Sequence, residues 1–154
     1  GTTLWDFEGR EIFKQAITGM QSGCEKALGK MGISTSDVDI VIPHQANLRI
    51  IEALAQRLKV PNEKLFVNIH RYGNMSAATA PMAIVEAVEE KHVTSGDLIL
   101  VPAFGAGLTW SAQLIRWGQR CEPIATTDIA LPECKESALD IVTRVAETHL
   151  KNPA

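Results

Sequence analysis

Two short polar segments contain side chains that are well suited to chemistry. The first, PHQAN at residues 43–47, places His44 directly after a run of β-branched residues typical of a buried strand. Ligands bind at the carboxyl ends of strands in open α/β sheets, where a histidine can hydrogen-bond a substrate oxygen or move a proton near neutral pH. A histidine that caps the following helix or satisfies a buried carbonyl is equally consistent with this motif.

The second segment, YGNMS at residues 72–76, places Asn74 after a glycine that permits a backbone turn. The asparagine amide is a donor suited to polarising a carbonyl. By itself the motif favours the alternative, an ordinary helix entry in which Asn74 or Ser76 is the N-cap. The neighbouring His70 and Arg71 are predicted to be a loop histidine without chemistry and a solvated loop charge.

A third segment, AFGAGLTW at residues 103–110, contains a Gly-x-Gly turn between two predicted strands. It is not a phosphate loop, because it lacks the Lys-Ser/Thr sequel and a following helix. The turn either aims backbone N–H groups at an oxyanion or is a tight hairpin that needs a positive φ.

The three segments lie at the ends of predicted strands in an alternating order of helices and strands. Apolar residues at helical spacing predict helices over 9–31, 46–58 and 77–91. Short apolar runs predict strands over 37–43, 65–67, 98–104 and 108–117. A connector over 118–132 and a last helix over 133–151 follow. The order favours an α/β layer fold with a mixed sheet.

Length and composition exclude several classes of protein. A chain of 154 residues is normally one domain, and a net charge of -3 argues against a general nucleic-acid binder. No apolar run is long enough to span a membrane and no secretory signal is visible, so we expect a cytoplasmic protein with no membrane association. The first residue is not methionine, as we expect of a piece of a longer protein.

The cysteines do not point to a metal site or to a nucleophile. Cys24, Cys121 and Cys134 are odd in number and widely spaced, so neither a disulfide framework nor a zinc site is expected. Cys24 falls on the apolar face of the first predicted helix, and the other two lie in or after the connector. None follows a strand in a position suited to attack, so we expect structural or exposed thiols.

In combination, the segments PHQANLRI, YGNMSAA and AFGAGLTW closely resemble the β-ketoacyl-acyl-carrier-protein synthases III, as does the opening FEGREIFKQA. The resemblance covers roughly residues 5–117. It implies one half of a thiolase fold, a mixed five-stranded sheet packed between helices, for residues 1–117. A connector and an additional helix at 118–154 depart from the family, whose members usually end near the last strand.

The resemblance implies a decarboxylative condensation that starts fatty acid synthesis. The family joins an acyl group from acyl-coenzyme A to malonyl on acyl carrier protein, with loss of carbon dioxide. His44 and Asn74 match the two donors to the malonyl thioester oxygen, and the backbone N–H of Ala106 matches one half of a second oxyanion hole. Many relatives have glycine at position 106. The family's cysteine nucleophile would lie in an N-terminal half, so this chain alone is expected to be inactive.

Further positions match the family's substrate contacts. Phe13 matches an aromatic residue along the pantetheine tunnel, and Ala46 and Asn47 match positions that contact the pantetheine arm. Phe104 matches a residue that borders the acyl pocket and the cysteine. Arg49 matches a basic residue implicated in docking of the acidic acyl carrier protein.

The resemblance also implies partners and leaves alternatives open. Expected partners are acyl carrier protein, acyl-CoA and malonyl thioesters, the chain's own N-terminal half, and a second copy in a homodimer. No cofactor is expected beyond coenzyme A thioester and phosphopantetheine-linked substrates. The alternatives are a related condensing enzyme of secondary metabolism and a non-catalytic thiolase-fold binding module. A solitary half is expected to expose apolar surface and therefore to self-associate or to be poorly soluble.

Overall fold

A computed structural model describes residues 8–119, 128–130 and 132–151. These residues belong to two compact units. Residues 8–119 lie in a unit spanning Phe7–Glu122, and the remainder lie in a unit that includes Pro123–Ala154. Cys121 lies outside the described residues. None of the helices in the described part of the chain has the length and apolar character that crossing a bilayer requires.

The predicted helices are confirmed, and a further short one is added. The helices are α1 (Gly9–Met31), α2 (Leu48–Leu58), α3 (Ile69–Tyr72), α4 (Thr79–Glu89) and α5 (Ala138–Lys151). The strands are β1 (Ile40–Val41), β2 (Leu98–Gly105) and β3 (Thr109–Arg116). The α2 helix begins later than predicted because Asn47 is its N-cap, and the Asn47 Oδ1 accepts the backbone N–H of Arg49 at 2.9 Å.

The sheet of the described residues has three strands in the order β1-β2-β3, so the expected five strands are wrong. It is mixed as predicted, because β1 runs parallel to β2 and β3 runs antiparallel to it. Although β1 is short, the backbone N–H groups of Asp39, Ile42 and His44 also donate to carbonyls of β2. The extended segment therefore reaches His44.

The strand predicted at residues 65–67 forms only an isolated parallel bridge between Val41 and Leu65. The Phe66 N–H donates to the Val41 carbonyl at 3.0 Å. Two residues further on, the amides of Asn68 and Ile69 donate instead to the side chain of Gln45 at 3.0 and 3.1 Å. Because these amides do not donate to β1, the pairing with β1 ends after one bridge and the chain continues as α3.

Helices cover both faces of the sheet, and β2 is buried between them. Leu98 and Leu100 pack with α1 and α2, whereas Ile99 and Val101 pack with α4. This alternation follows from the two-residue period of a strand. It accounts for the continuous apolar run at the start of β2, which is typical of a strand buried on both faces.

Close approach of α1 to β3 depends on small residues in the helix. A Cβ atom at Gly19 would lie 2.6 Å from the Cδ2 atom of Trp110, so the indole ring occupies the space that any side chain would need. At Gly23 the corresponding Cβ would lie 3.4 Å from the backbone of Ser111. The glycines therefore let the helix backbone pack against the strand.

The additional C-terminal helix is present as α5 in the second unit. Ser137 and Asp140 form a reciprocal cap at its start, since Ser137 N donates to Asp140 Oδ2 at 3.0 Å and Asp140 N donates to Ser137 Oγ at 3.2 Å. The apolar side chains of Leu139, Val142 and Val145 share one face and are exposed in the described residues.

Candidate active site

His44 lies where the extended segment of β1 ends beside β2. Its backbone N–H donates to the Pro102 carbonyl at 2.8 Å, which fixes the residue at the carboxyl edge of these parallel strands. The imidazole is half-buried and its edge meets the ring of Phe104, with centroids 5.6 Å apart and planes at 65°. Burial lowers the pKa of His44 below its ordinary value, so the ring is neutral at pH 7.

Asn74 lies on the exposed segment between α3 and α4. Its Oδ1 accepts the backbone N–H of Ser76 at 2.9 Å, a local bond of the kind expected at a helix entry. This bond fixes the amide plane and leaves the Nδ2 group of Asn74 with no hydrogen-bond partner among the described residues. The oxygen therefore has a structural role, and the nitrogen is free to donate to a ligand.

Thr79 connects His44 to the segment that contains Asn74. The Thr79 hydroxyl is hydrogen-bonded to His44 Nδ1 and donates to the Ser76 carbonyl oxygen at 3.1 Å. Ser76 in turn donates its backbone N–H to Asn74. Hydrogen bonds to Thr79 and Asn74 from either side of the Ser76 backbone thus connect the two predicted donors. No sequence pattern singles out Thr79, because a threonine near a helix start has many ordinary roles.

The buried side chain of Gln45 bonds the backbone both beside His44 and at the start of α3. Its side chain is 1% exposed, and its Nε2 donates to the Pro43 carbonyl at 2.8 Å and to the Phe66 carbonyl at 3.4 Å. Its Oε1 accepts the amides of Asn68 and Ile69. One buried amide therefore satisfies backbone groups at both the His44 turn and the start of α3.

A cluster around Glu86 anchors the rest of α3 to α4. The Glu86 carboxylate accepts hydrogen bonds from Asn68 Nδ2 and from the Tyr72 hydroxyl, both at 2.8 Å, and pairs with Arg71 at 2.7 Å. Burial opposes its ionisation, but these three donors together hold the pKa of the carboxyl below its usual value. Arg71 also pairs with Glu90 at 2.5 Å. Its side chain is exposed as predicted, but it lies on α3 and is ion-paired, so it is not a free loop charge.

The Gly-rich turn joins β2 to β3 at the same edge of the sheet as His44. Ala106 lies exposed at its tip, and Gly107 adopts a φ of 145°, as a tight hairpin requires. Phe104, which lies near the end of β2, contacts His44 as described above. The backbone donor role of Ala106 stays a prediction, because its geometry is also that of a hairpin tip.

The other predicted substrate contacts lie on α1 and at the start of α2. The Arg49 guanidinium carbon lies 5.7 Å from the ring centroid of Phe13, so these two residues are brought together. Phe13 and Phe104 pack against the same apolar cluster. Ala46 is half-buried and Asn47 is exposed, where it caps α2. Their roles toward a substrate stay predictions.

The described cysteines are not placed for nucleophilic attack at this edge. Cys24 lies on the buried face of α1, fully enclosed in the apolar cluster. Burial raises the pKa of its thiol to about 12. Cys134 is exposed in the second unit, with its Sγ 3.4 Å from the Glu136 carbonyl. Within the described ranges, no group of three or more His, Cys, Asp or Glu side chains is arranged to hold a metal ion.

Comparisons with known proteins identify the family of this chain. The sequence model described as 3-oxoacyl-[acyl-carrier-protein (ACP)] synthase III C terminal matches residues 28–117. The β-ketoacyl-[acyl-carrier-protein] synthase III 2 of Vibrio cholerae is 49% identical over 147 residues, which are 96% of this chain and 41% of that relative. The chain therefore spans about two fifths of the length of that relative.

The segment beyond residue 117 is shared with this relative. An alignment of 147 of the 154 residues necessarily includes most of the C-terminal segment, whereas the family model ends at residue 117. The departure noted in the sequence thus distinguishes some members of the family from others.

Two solved structures extend the comparison to the fold. The 3-oxoacyl-[acyl-carrier-protein] synthase III of Aquifex aeolicus superposes with a TM-score of 0.71 and 53% identity, over 72% of this chain and 36% of that one. The priming β-ketosynthase of a polyketide biosynthetic pathway superposes with a TM-score of 0.69 and 32% identity, over 73% of this chain and 34% of that one. The chain therefore belongs to the family of 3-oxoacyl-[acyl-carrier-protein] synthase III C-terminal domains.

Proposed function

We propose that this chain is the half of a 3-oxoacyl-acyl-carrier-protein synthase III that decarboxylates the malonyl thioester. The observation that carries the proposal is the pair of neutral side chains at one edge of the sheet, linked through Thr79. His44 is kept neutral by burial, and the amide nitrogen of Asn74 is free to donate. Both are the kind of donor that an enolate oxygen needs.

The hard step is the transfer of negative charge onto the thioester oxygen. The bond between the malonyl methylene and its carboxylate breaks, carbon dioxide leaves, and the electron pair moves to the enolate. Two neutral donors stabilise this oxyanion more than they stabilise the malonyl carboxylate, so their effect is larger in the transition state than in the ground state. The enolate carbon then attacks an acyl thioester, and the cysteine thiolate leaves.

The cysteine that carries the acyl group is proposed to lie in an N-terminal half of the same protein. Burial and a raised pKa make Cys24 unsuited to this role, and the V. cholerae relative is more than twice as long as this chain. The backbone N–H of Ala106 is proposed to contribute to the oxyanion hole for the acyl intermediate. Phe13, Ala46, Asn47 and Phe104 are proposed to line the path of the pantetheine arm and the acyl chain.

The direct test is to assay this chain alone and together with the N-terminal half of its own protein. We expect the 154-residue chain alone to give no condensation and no acyl transfer, and coexpression with the N-terminal half of its own protein to restore both. Release of carbon dioxide from malonyl thioester and acylation of protein by labelled acyl-CoA measure the two steps. Robust condensation by the isolated chain would contradict the proposal, as would a well-folded pair of halves that acylates no cysteine.

A condensing enzyme of polyketide synthesis is the second candidate, favoured by the likeness to the priming ketosynthase. It would use the same two donors and differ in the acyl pocket that Phe104 borders. Assay of the full-length protein against acyl-CoA substrates of increasing chain length, with analysis of products, separates the two. Preference for a short acyl primer and malonyl-acyl carrier protein supports fatty acid initiation.

The proposed protein partner is acyl carrier protein, with Arg49 as a docking residue. Its guanidinium is exposed at the start of α2 and lies over the ring of Phe13. We further propose that the full-length protein works in the cytoplasm as a homodimer. No cofactor is proposed beyond its thioester substrates.

Charge reversal at Arg49 tests the docking role. Arg49→Glu in the full-length protein is expected to raise the KM for malonyl-acyl carrier protein about 3- to 10-fold, because it repels an acidic partner. Decarboxylation of malonyl-coenzyme A is expected to be unchanged. Lys30→Glu, the same charge reversal in the last turn of α1, is the control and should leave both rates unaltered. Equal effects of the two variants would remove Arg49 from the docking surface.

A further inference from the structure

The backbone of Asn74 makes no hydrogen bonds that could fix its position. Among the described residues, neither its N–H nor its carbonyl has a partner, and only its side-chain oxygen is bonded, to Ser76. The preceding Gly73 has a φ of 68°, and glycine restricts the backbone less than any other residue. The position of Asn74 therefore depends on what holds the chain on either side of it.

Two side chains of α4 hold the chain on these two sides. On the later side, the Thr79 hydroxyl donates to the Ser76 carbonyl at 3.1 Å. On the earlier side, the Glu86 carboxylate accepts a hydrogen bond from the Tyr72 hydroxyl at 2.8 Å. Thr79 and Glu86 are separated by about two helical turns, and both are buried on the same face of α4. Asn74 thus lies midway along the chain between two points that one helix holds.

The Glu86 carboxylate contacts both ends of α3. Its Oε2 accepts a hydrogen bond from Asn68 Nδ2 at 2.8 Å, and its Oε1 accepts the Tyr72 hydroxyl and pairs with Arg71 at 2.7 Å. All three incoming groups are donors, and an ionised carboxylate only accepts. Hydrogen bonds to an ionised acceptor are about twice as strong as those between neutral groups. With the groups arranged as they are, a glutamine here would turn an NH2 group toward at least one donor.

We propose that Glu86 sets the position of the Asn74 amide by holding α3 against α4, and thereby controls malonyl decarboxylation without touching substrate. The effect on decarboxylation rests on the proposed function, in which Asn74 donates to the enolate oxygen. Among the described residues, no hydrogen bond or ion pair joins Glu86 to His44, so the effect is confined to one of the two donors. Displacing such a group by about 1 Å can lower a rate by about 10²-fold. Glu86 is therefore a positioning residue.

Hydrogen exchange of the full-length protein, measured by mass spectrometry, tests the positioning itself. In Glu86→Gln, peptides that cover residues 68–76 are expected to exchange about 10-fold faster, because α3 opens locally more often. Peptides that cover residues 40–47, which include His44, are expected to be unchanged. Glu89→Gln, the same substitution at the exposed end of α4, is the control and should alter neither segment. Unchanged exchange at residues 68–76, or equal acceleration of both segments, overturns the proposal.

Kinetics of the full-length protein test the consequence. Glu86→Gln is expected to lower kcat for malonyl decarboxylation about 10-fold, with less than about a 2-fold change in KM, because Asn74 acts on charge that forms in the transition state. Acyl transfer to the cysteine is expected to be spared. In an Asn74→Ala background, Glu86→Gln is expected to cause no further loss, since the amide through which it acts is already missing. A further full loss in that background, or an equal loss of acyl transfer, would assign Glu86 a packing role.

A second variant makes the test independent of whether Glu86→Gln folds. Tyr72→Phe removes one of the three donors from a side chain that is 43% exposed. It is expected to accelerate exchange at residues 68–76 and to lower kcat for decarboxylation about 3-fold, the effect of one lost hydrogen bond. If Glu86→Gln does not fold, unchanged exchange in Tyr72→Phe overturns the proposal.

The two proposals fail separately. If Glu86→Gln accelerates exchange at residues 68–76 but Asn74→Ala leaves decarboxylation intact, Glu86 holds α3 and the proposed function fails. If Asn74→Ala abolishes decarboxylation while Glu86→Gln changes neither exchange nor rate, the function survives and the role of Glu86 does not.

Discussion

Replacement of His44 by alanine in the full-length protein is expected to lower malonyl decarboxylation and overall condensation by about 10²- to 10³-fold. The reason is the loss of one of two donors to the enolate oxygen, at a site where burial keeps the donor neutral. Acyl transfer to the cysteine is expected to be largely spared, since that step does not form the enolate. Release of carbon dioxide and burst-phase acylation, measured separately, distinguish the two steps.

The matched control for this substitution is His70→Ala. His70 is exposed on α3 and lies in the same part of the chain, so a general effect of losing a histidine would appear there too. Both rates should be unchanged in the control. Equal loss of acylation and decarboxylation in His44→Ala would instead argue that His44 activates the nucleophile, and the role assigned to it in decarboxylation would be abandoned.

Gln45→Ala is expected to lower the free energy of unfolding of this chain by about 2–4 kcal/mol. The side chain is buried and bonds four backbone groups, so its removal leaves two amides and two carbonyls without their partner. Each such group costs on the order of 1–3 kcal/mol when water cannot replace the bond, and neighbouring losses are not additive. Urea denaturation followed by circular dichroism measures the change.

Two further variants make the Gln45 result specific. Gln56→Ala on the exposed face of α2 removes the same atoms without burial and should change the free energy of unfolding by less than about 0.5 kcal/mol. Gln45→Glu keeps both acceptor sites and loses both donors, so its destabilisation should be substantial as well. A Gln45→Ala chain as stable as the Gln56→Ala chain would show that the buried network has little energetic weight.

Local patterns predicted most of the elements correctly. The apolar stripe over 9–31 corresponds to α1 at both ends, because a long amphipathic helix carries a strong periodic signal. The run over 98–104 corresponds to β2, and Pro81 lies in the first turn of α4, where proline is tolerated. The motif resemblance likewise predicted the family, since the residues around His44 and Asn74 recur together.

The errors have a common physical cause in side chains that reach across the sequence. The segment after Leu65 was expected to continue as a strand and then a loop, but Gln45 takes the amides of Asn68 and Ile69 and α3 forms. Arg71 was expected to be a solvated loop charge, but it lies on α3 and, although exposed, pairs with Glu86 on α4. A bond between residues distant in sequence leaves no local periodicity from which to predict it.

By itself, the sequence determined the α/β order of elements, the family, and the identity of His44 and Asn74 as candidate donors, because each depends on local spacing or on a contiguous motif. Only the tertiary structure decided how these two residues are joined. It placed the Thr79 hydroxyl on His44 Nδ1 and the Gln45 amide beneath both segments, with a three-stranded rather than five-stranded sheet as their frame. These contacts arise because the starts of α4 and α3 come beside the turn at His44 and Gln45, so they depend on distances in space that spacing along the chain does not encode.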